Sequence, residues 1–229
     1  MKIAAISDMH GFLPSLKEMP EADVLCICGD TFPLKMQRNP GQSRKWFRTV
    51  FKDWVEALPV EQVVMIAGNH DFAFEVLDRQ TGIALEDFRN DIPTVSYLCN
   101  SQVEIGGVTF YGFPWTPVLE SWAYYVTDEE MARELKKVPT NVDVFLTHCP
   151  PKVGTQGVVL EMNNWNYLKN FGSQQIFDKV FESNFKWVLS GHIHSGNHVV
   201  EEEGGTKFVN VSYLNENYGP TYKVFTFEI

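Results

Sequence analysis

The chain has 229 residues, 44% of them hydrophobic, enough to bury a substantial core. Nineteen Lys and Arg stand against 29 Asp and Glu, a formal charge of -10, and no basic run offers the clustered cations that hold a polyanion, which argues against stable nucleic-acid binding. No stretch approaches the roughly 20 apolar residues of a membrane helix, and the apolar run after Lys2 is too short for a signal-peptide core, so a cytoplasmic protein without a membrane partner is expected.

From the amino terminus, the apolar run 3–6 reads as a buried strand and is followed by Asp8-Met9-His10. A second run, 24–28, ends at Gly29-Asp30. Over 41–58, apolar residues recur at i, i+3, i+4 and i+7, with Trp46, Phe47, Val50, Phe51, Trp54, Val55 and Leu58 on one face, which predicts an amphipathic helix. The run 63–67 precedes Gly68-Asn69-His70-Asp71. Gly106-Gly107, between the short runs 103–105 and 108–111, predicts a tight hairpin, because paired glycines accept the positive φ of a primed turn.

Thr127 and Glu130 have the spacing of a capping box and predict a helix start. The run 144–146 leads to Thr147-His148, and 173–182 is a further helix. The run 187–189 leads to Gly191-His192-Ile193-His194. A second hairpin, 198–201 with 207–211, flanks Gly204-Gly205, and alternation over 222–229 predicts a closing strand. Strands alternating with helices indicate an α/β chain, taken here as one domain over 1–229. The segments 32–40, 112–126 and 150–172 are rich in Pro, Gly, Asn and aromatics and read as irregular binding walls.

Cys26, Cys28, Cys99 and Cys149 show no metal-ribbon spacing, and the first two alternate within a strand as small buried hydrophobes would in a reducing compartment. Histidine is distributed differently. Five of the six lie in the short polar clusters that follow apolar runs. In layered α/β folds the carboxyl ends of strands form the binding crevice, so these clusters can converge. A single Asp or His after a strand is ordinarily a turn former or a cap; the joint pattern is what points to metal. Asp8, His10, Asp30, Asn69, His148, His192 and His194 are too many ligands for one ion, and two divalent ions sharing a carboxylate fit them better. Oxygen and imidazole donors without thiolate suit Mn²⁺ first, with Fe, Zn²⁺ or Ni²⁺ as alternatives. Such a pair, about 3.5 to 4 Å apart, can hold a hydroxide for in-line attack at phosphorus.

The order Asp-x-His, Gly-Asp, Gly-Asn-His-Asp, His, Gly-His-x-His resembles the calcineurin-like metallophosphoesterase superfamily along the whole chain. The resemblance implies a four-layer αββα sandwich of two mixed β-sheets flanked by helices. It also implies Asp8, His10, Asp30 and His194 on a first metal and Asp30, Asn69, His148 and His192 on a second, with Asp30 as the bridge. By the same resemblance His70 is the general acid, which an imidazole near neutral pH can be. Asp71 either orients His70 or caps the following turn.

Gly112-Phe113-Pro114-Trp115, Thr147-His148-Cys149-Pro150-Pro151 and Asn210-Val211-Ser212 look like the mammalian brain metallophosphoesterase-domain proteins and their bacterial relatives. That resemblance implies a phosphodiesterase, with activity on cyclic nucleotides and artificial diesters. Phe113 and Trp115 are the expected substrate-binding residues, although the subfamily usually has a small residue where Phe113 stands. Trp115, Trp122, Tyr124 and Tyr125 could stack on a base. Thr31-Phe32-Pro33 departs from the extended Gly-Asp motif of protein Ser/Thr phosphatases, which argues against protein substrates. His198, outside the clusters, is expected to be structural or at the surface rather than catalytic. A phosphomonoesterase on a small metabolite, a catalytically weak scaffold on the same fold and a nuclease are the competing readings.

Overall fold

The structure is a computed structural model that describes residues 1–79, 85–117, 119–161 and 167–229. In its first half, β1 (Lys2–Ile6), β2 (Ala22–Cys28), β3 (Val60–Ile66) and β4 (Val95–Tyr97) alternate with α1 (Pro40–Trp46), α2 (Lys52–Glu56) and α3 (Phe72–Arg79). The second half contains β5 (Ser101–Ile105), β6 (Val108–Phe113), α4 (Asp128–Leu135), β7 (Val144–Thr147), β8 (Val158–Glu161), β9 (Tyr167–Asn170), α5 (Gln174–Phe181), β10 (Trp187–Ser190), β11 (Glu201–Glu203), β12 (Thr206–Asn210) and β13 (Phe225–Glu228).

Two mixed sheets result. One has the order β13-β1-β2-β3-β4, parallel except at β13, and the other β11-β12-β10-β7-β6-β5, parallel except at its two edge strands. Period-two alternation sorts each strand's side chains between two cores. Ile3, Ala5, Val24, Cys26, Val64 and Ile66 of the first sheet meet Val144, Leu146, Trp187 and Leu189 of the second. The intervening residues, among them Ala4, Ile6, Leu25, Ile27, Phe145 and Val188, face helices instead. Phe47, Phe51, Trp54 and Phe74 cover the first sheet, and Met131, Leu135, Ile176 and Val180 cover the second. A strand buried on both faces must be apolar at nearly every position, which is why the sequence shows continuous runs there. The αββα layering follows.

Local chemistry explains several elements. Thr127 and Glu130 form the reciprocal capping box at α4, with Glu130 Oε2 accepting from Thr127 N at 2.9 Å. Gly106 and Gly107 have φ of 56° and 81° and close the β5–β6 hairpin. Elsewhere the expectation from pattern alone is corrected. The helix over 41–58 is broken by a π-helical turn at Phe47–Phe51, whose wider winding stacks the Phe47 and Phe51 rings 4.9 Å apart and leaves Val50 49% exposed. The second hairpin is shorter than its sequence pattern, with β11 beginning at Glu201 and residues 198–200 outside it. The closing strand shrinks to Phe225–Glu228. Within 150–172, taken as irregular, β8 and β9 form an antiparallel pair, while 162–166 and residue 118 of the segment 112–126 lie outside the described residues.

Leu189 sits fully buried between the sheets, whereas Phe181 is 67% exposed on α5. Leu189→Ala is expected to lower unfolding free energy in urea by about 2–5 kcal/mol, and Phe181→Ala by less than about 0.5 kcal/mol. Similar losses in the two variants would contradict the assignment of the inter-sheet core.

Candidate metal centre

Asp8 and His10 follow β1, Asp30 follows β2, Asn69 and His70 follow β3, His148 follows β7, and His192 and His194 follow β10. Three of these strands belong to one sheet and two to the other, so the cluster sits where the sandwich is seamed. Backbone contacts close that seam. Ser7 N donates to Val211 O and Tyr213 N to Ser7 O, both at 2.8 Å, and His148 Nδ1 donates to Cys28 O at 2.8 Å.

Asp30 is at the middle. Its Oδ2 lies 3.4 Å from His148 Nε2, 3.6 Å from His10 Nε2 and 3.8 Å from His70 Nε2. Asp8 Oδ1 is 3.3 Å from His194 Nε2, and the Asp8 carboxylate also accepts from His192 N at 2.9 Å and Ser212 Oγ at 2.8 Å. Asn69 Oδ1 is 2.9 Å from His148 Nε2, and the His192 ring lies 5.0 Å from that of His148. Three overlapping groups, Asp8/His10/His194, His10/Asp30/His70 and Asp8/Asp30/His148, each have ligand atoms within 4.8 Å of one another and could hold an ion.

The donor set fits a divalent cation. His148 and His194 each give an Nδ1 proton to a backbone carbonyl, of Cys28 and Asn215, and a carbonyl can only accept, so both present Nε2 to the centre. His10 is buried with neither ring nitrogen hydrogen-bonded. An orphaned imidazole against a buried carboxylate is costly unless something positive joins them.

Protonation follows the same logic. Burial lowers His10 to about 4 and His192 to about 3, and lowers His70 as well. Burial opposes charge on His148 and His194 too, but the Asp30 charge and the Asp8 hydrogen bond overcome it and raise both to about 9. Burial works against ionised Asp8 and Asp30, yet the surrounding histidines hold both below the ordinary carboxylate range.

Glycine is required at the motif positions by crowding. A Cβ on Gly68 would stand 2.6 Å from the His148 ring and collide with Asp30, and one on Gly191 would run into Ser7 and Asp8. Asp8, His10, Asp30 and His192 all have positive φ, between 44° and 68°. Such backbone costs on the order of 1–3 kcal/mol per residue and persists where the surroundings enforce it.

The structure brings all seven sequence-predicted ligands and His70 together. It does not bring Asp71 to His70. The Asp71 carboxylate accepts from Gly68 N at 2.8 Å, Thr31 N at 3.0 Å and Phe32 N at 3.1 Å, tying the Asp30 loop to the Asn69 loop, and burial then Asp30 push it up to about 7. The hydrogen bonds of the Asp71 carboxylate are thus to backbone N–H groups of the two ligand loops. Phe113 and Trp115 also need correction as substrate contacts. Phe113 alternates into the helix-facing core beside Phe145, and the Trp115 indole is tied to Asn100 Oδ1 at 3.1 Å beneath Arg79. Tyr124 is buried, its hydroxyl donating to Asp78 at 2.6 Å. His198 stacks on Tyr222 and donates to His194 O at 3.0 Å, a structural role.

The cleft of about 360 Å³ over the cluster is lined by Trp122, one of the rings expected to stack on a base, and by Glu216 and Tyr218, which the sequence patterns left unassigned. The Trp122 ring is 4.4 Å from that of His70, and Gln37 Oε1 accepts from His70 Nδ1. Tyr218 is held at φ 57° with its ring 5.0 Å from His10 and 5.2 Å from His194. Asn210 Nδ2 donates to Ile193 O at 2.8 Å and so fixes the loop carrying His192 and His194. No periodicity marks loop residues such as these; the Asn210-Val211-Ser212 motif and the aromatic character of Trp122 carried the signals there were.

A family model described as Calcineurin-like phosphoesterase matches residues 1–196. A UPF0046 protein of Caenorhabditis elegans is 28% identical over 228 residues, covering 94% of this chain and 71% of the relative. Human metallophosphoesterase domain-containing protein 1 is 27% identical over 241 residues, covering 96% of this chain and 68% of the relative. Among solved structures, the phosphopantetheinyl hydrolase of Mycobacterium tuberculosis superposes with a TM-score of 0.58 at 15% identity, covering 95% of this chain and 90% of that one, a likeness of fold.

Metal ligation needs neutral imidazoles, and His148 and His194 are raised to about 9 in the metal-free protein. Loading at pH 7 is therefore expected to release about two protons, and affinity to rise with pH up to about 9. Titration calorimetry in buffers of different ionisation enthalpy counts the protons, and a count near zero would contradict the assigned ligands.

Proposed function

The chain belongs to the calcineurin-like phosphoesterase family, and from that premise we propose that it is a dinuclear metal-dependent phosphodiesterase acting on small substrates, cyclic nucleotides among the candidates. The observation that carries this reading is Asp30, whose single Oδ2 faces His10, His70 and His148 at 3.4 to 3.8 Å. Asp8, His10, Asp30 and His194 would hold one ion, and Asp30, Asn69, His148 and His192 the other. The donor chemistry favours Mn²⁺, with Fe, Zn²⁺ or Ni²⁺ also compatible. Divalent ions bound there supply Lewis-acid stabilisation to the phosphoryl oxygens and activate water.

The rest of the reaction falls to the chain's own groups. In its imidazolium form, with Nδ1–H held by Gln37, His70 gives its Nε2 proton to the departing alkoxide, the step a diester needs most, because an alkoxide leaves poorly without one. Gln37 holds His70 Nδ1 and the Trp122 ring limits the imidazole's tilt, so Nε2 faces the cluster. Tyr218 covers His10 and His194 and keeps bulk water off that side. A cytoplasmic location belongs to this proposal and agrees with four free cysteines. The structure has no helix, among the described residues, long and apolar enough to cross a membrane.

Purified protein is expected to carry about two transition-metal ions per chain and, with Mn²⁺, to hydrolyse bis(p-nitrophenyl) phosphate faster than p-nitrophenyl phosphate. A strong monoester preference would replace the diesterase by a monoesterase, and absence of both bound metal and Mn²⁺ rescue would favour a scaffold. His70→Gln should cost roughly 10² to 10⁴ in kcat on alkyl leaving groups and far less on p-nitrophenolate, which needs no proton. Equal losses on the two classes would remove His70 as the acid.

A further inference from the structure

A second cleft of about 580 Å³ opens beside the one over the cluster. Leu119, His192 and Ile193 line both, so the two form one continuous depression. The remaining walls differ. Asp30, Asn69, His70 and Trp122 line the first cleft alone, and Lys169 and Phe171 line the second alone. The general acid therefore stands on one side of His192 and the lysine on the other.

The second cleft joins apolar surface to one cation, with Asp128, Asn170, Ser173, Gln174 and Gln175 also in its wall. Pro117, Cys149, Ile193 and Phe171 supply the apolar surface, with Phe171 41% exposed. Lys169 Nζ lies 4.7 Å from the centre of that ring and, among the described residues, has no carboxylate partner. Asp128, the acidic residue of the lining, already accepts from Gln175 Nε2 at 3.1 Å. The wall is fixed to the ligand loop. Ser173 N donates to Pro150 O at 2.8 Å, Lys152 N donates to Ser173 O at 3.0 Å, and a Cβ on Gly172 would meet Pro151 O at 2.7 Å. Phe171 and Lys169 thus keep a set position relative to His148 and His192.

Resting on the diesterase reading above, we propose that this cleft is the subsite for the ester group that stays on phosphorus, and that it selects an apolar or aromatic group ending in an anion. Phe171 and its apolar neighbours bury the body of that group, and Lys169 pairs with the terminal charge. Because His70 lines only the first cleft, the group it protonates leaves from that side. Water oxygen bonds to phosphorus and its proton passes to solvent, the P–O bond to the group beside His70 breaks, the proton from His70 ends on that oxygen and is replaced from solvent, and the product is a phosphomonoester still seated against Lys169.

Three p-nitrophenyl diesters with the same leaving group test this: the methyl, benzyl and 4-carboxybenzyl esters. With Mn²⁺-loaded protein, kcat/KM is expected to rise in that order, the carboxybenzyl ester exceeding the methyl ester at least about tenfold. Lys169→Glu should erase the advantage of carboxybenzyl over benzyl, and Phe171→Ala the advantage of benzyl over methyl, each read as a ratio to the methyl ester, which reaches neither side chain. An order that is flat, or unmoved by both substitutions, overturns the subsite while leaving the diesterase intact. Absence of hydrolysis of all three esters overturns the diesterase and the subsite with it. Calorimetric binding of 4-carboxybenzyl phosphate gives a readout independent of turnover. At least about tenfold weaker binding to Lys169→Glu supports the proposal, and equal affinity for the two proteins overturns it.

Discussion

Two carboxylates buried at the seam between two sheets set the terms for the rest of the molecule. Asp8 and Asp30 are essentially inaccessible, 0% and 2% exposed, and both are held ionised by the imidazoles around them. An ion taken out of water costs several kcal/mol even after relaxation, roughly, unless partners replace its solvation. Backbone and hydroxyl donors supply part of the replacement, from His192 N and Ser212 Oγ to Asp8 and from His70 N to Asp30. Those donors leave the inward-facing oxygens to the imidazoles, two of which are raised to about 9 and so carry a proton where a metal would sit. Protonated histidine is the metal-free answer to the same electrostatic demand that a divalent ion meets better, since one ion can satisfy several acceptors at once.

That demand explains the backbone. Five strand ends must bring their side chains within a few ångströms, and a chain leaving a strand in an ordinary conformation carries its next side chains away from the seam. Positive φ at Asp8, His10, Asp30 and His192 turns them back. The glycines of the motifs serve the same crowding, since Gly68 and Gly191 lie where any side chain would strike Asp30, His148 or Asp8. Such strain survives because both sheets clamp the turns: the inter-sheet core runs directly beneath them through Ile66, Leu146 and Leu189. Stability in the sandwich is what holds a costly geometry at its rim.

How much of this was legible in the sequence depends on whether a residue acts through its position in a repeat or through a contact made by folding. Strands buried on both faces show as apolar runs, and polar clusters directly after them are visible because nothing else in the chain places His, Asp and Asn so. The capping box at Thr127 is a local signal and is found as such. Asp71 reads equally well as a partner of His70 or as a cap, and beside its local bond from Gly68 N its bonds to Thr31 and Phe32 span about forty residues, a separation no local pattern encodes. Phe113 and Trp115 illustrate the opposite failure. An aromatic beside a glycine in a loop-like segment suggests a binding wall, but Phe113 ends β6 and alternates into the core, while Trp122, ten or fewer residues along the same segment, is the ring beside His70. The π turn at Phe47–Phe51 is invisible to a 3.6-residue period, because that period is the assumption it breaks.

The overall charge of -10, taken alone, implies a surface hostile to phosphate esters. Distribution matters more than the sum, since exposed charges are screened within about 8 Å at physiological salt. The centre itself carries two ionised carboxylates and two histidines charged near neutral pH, so without metal it is close to neutral, and each divalent ion exchanged for protons adds positive charge where a phosphoryl group would lie. Attraction for a phosphate ester would thus be switched on by metal at the seam. A fold that kept a permanent cluster of Lys or Arg there would bind anions without activating water; one that concentrates acceptors and lets the ion bring the charge couples binding of the anion to the presence of the catalyst.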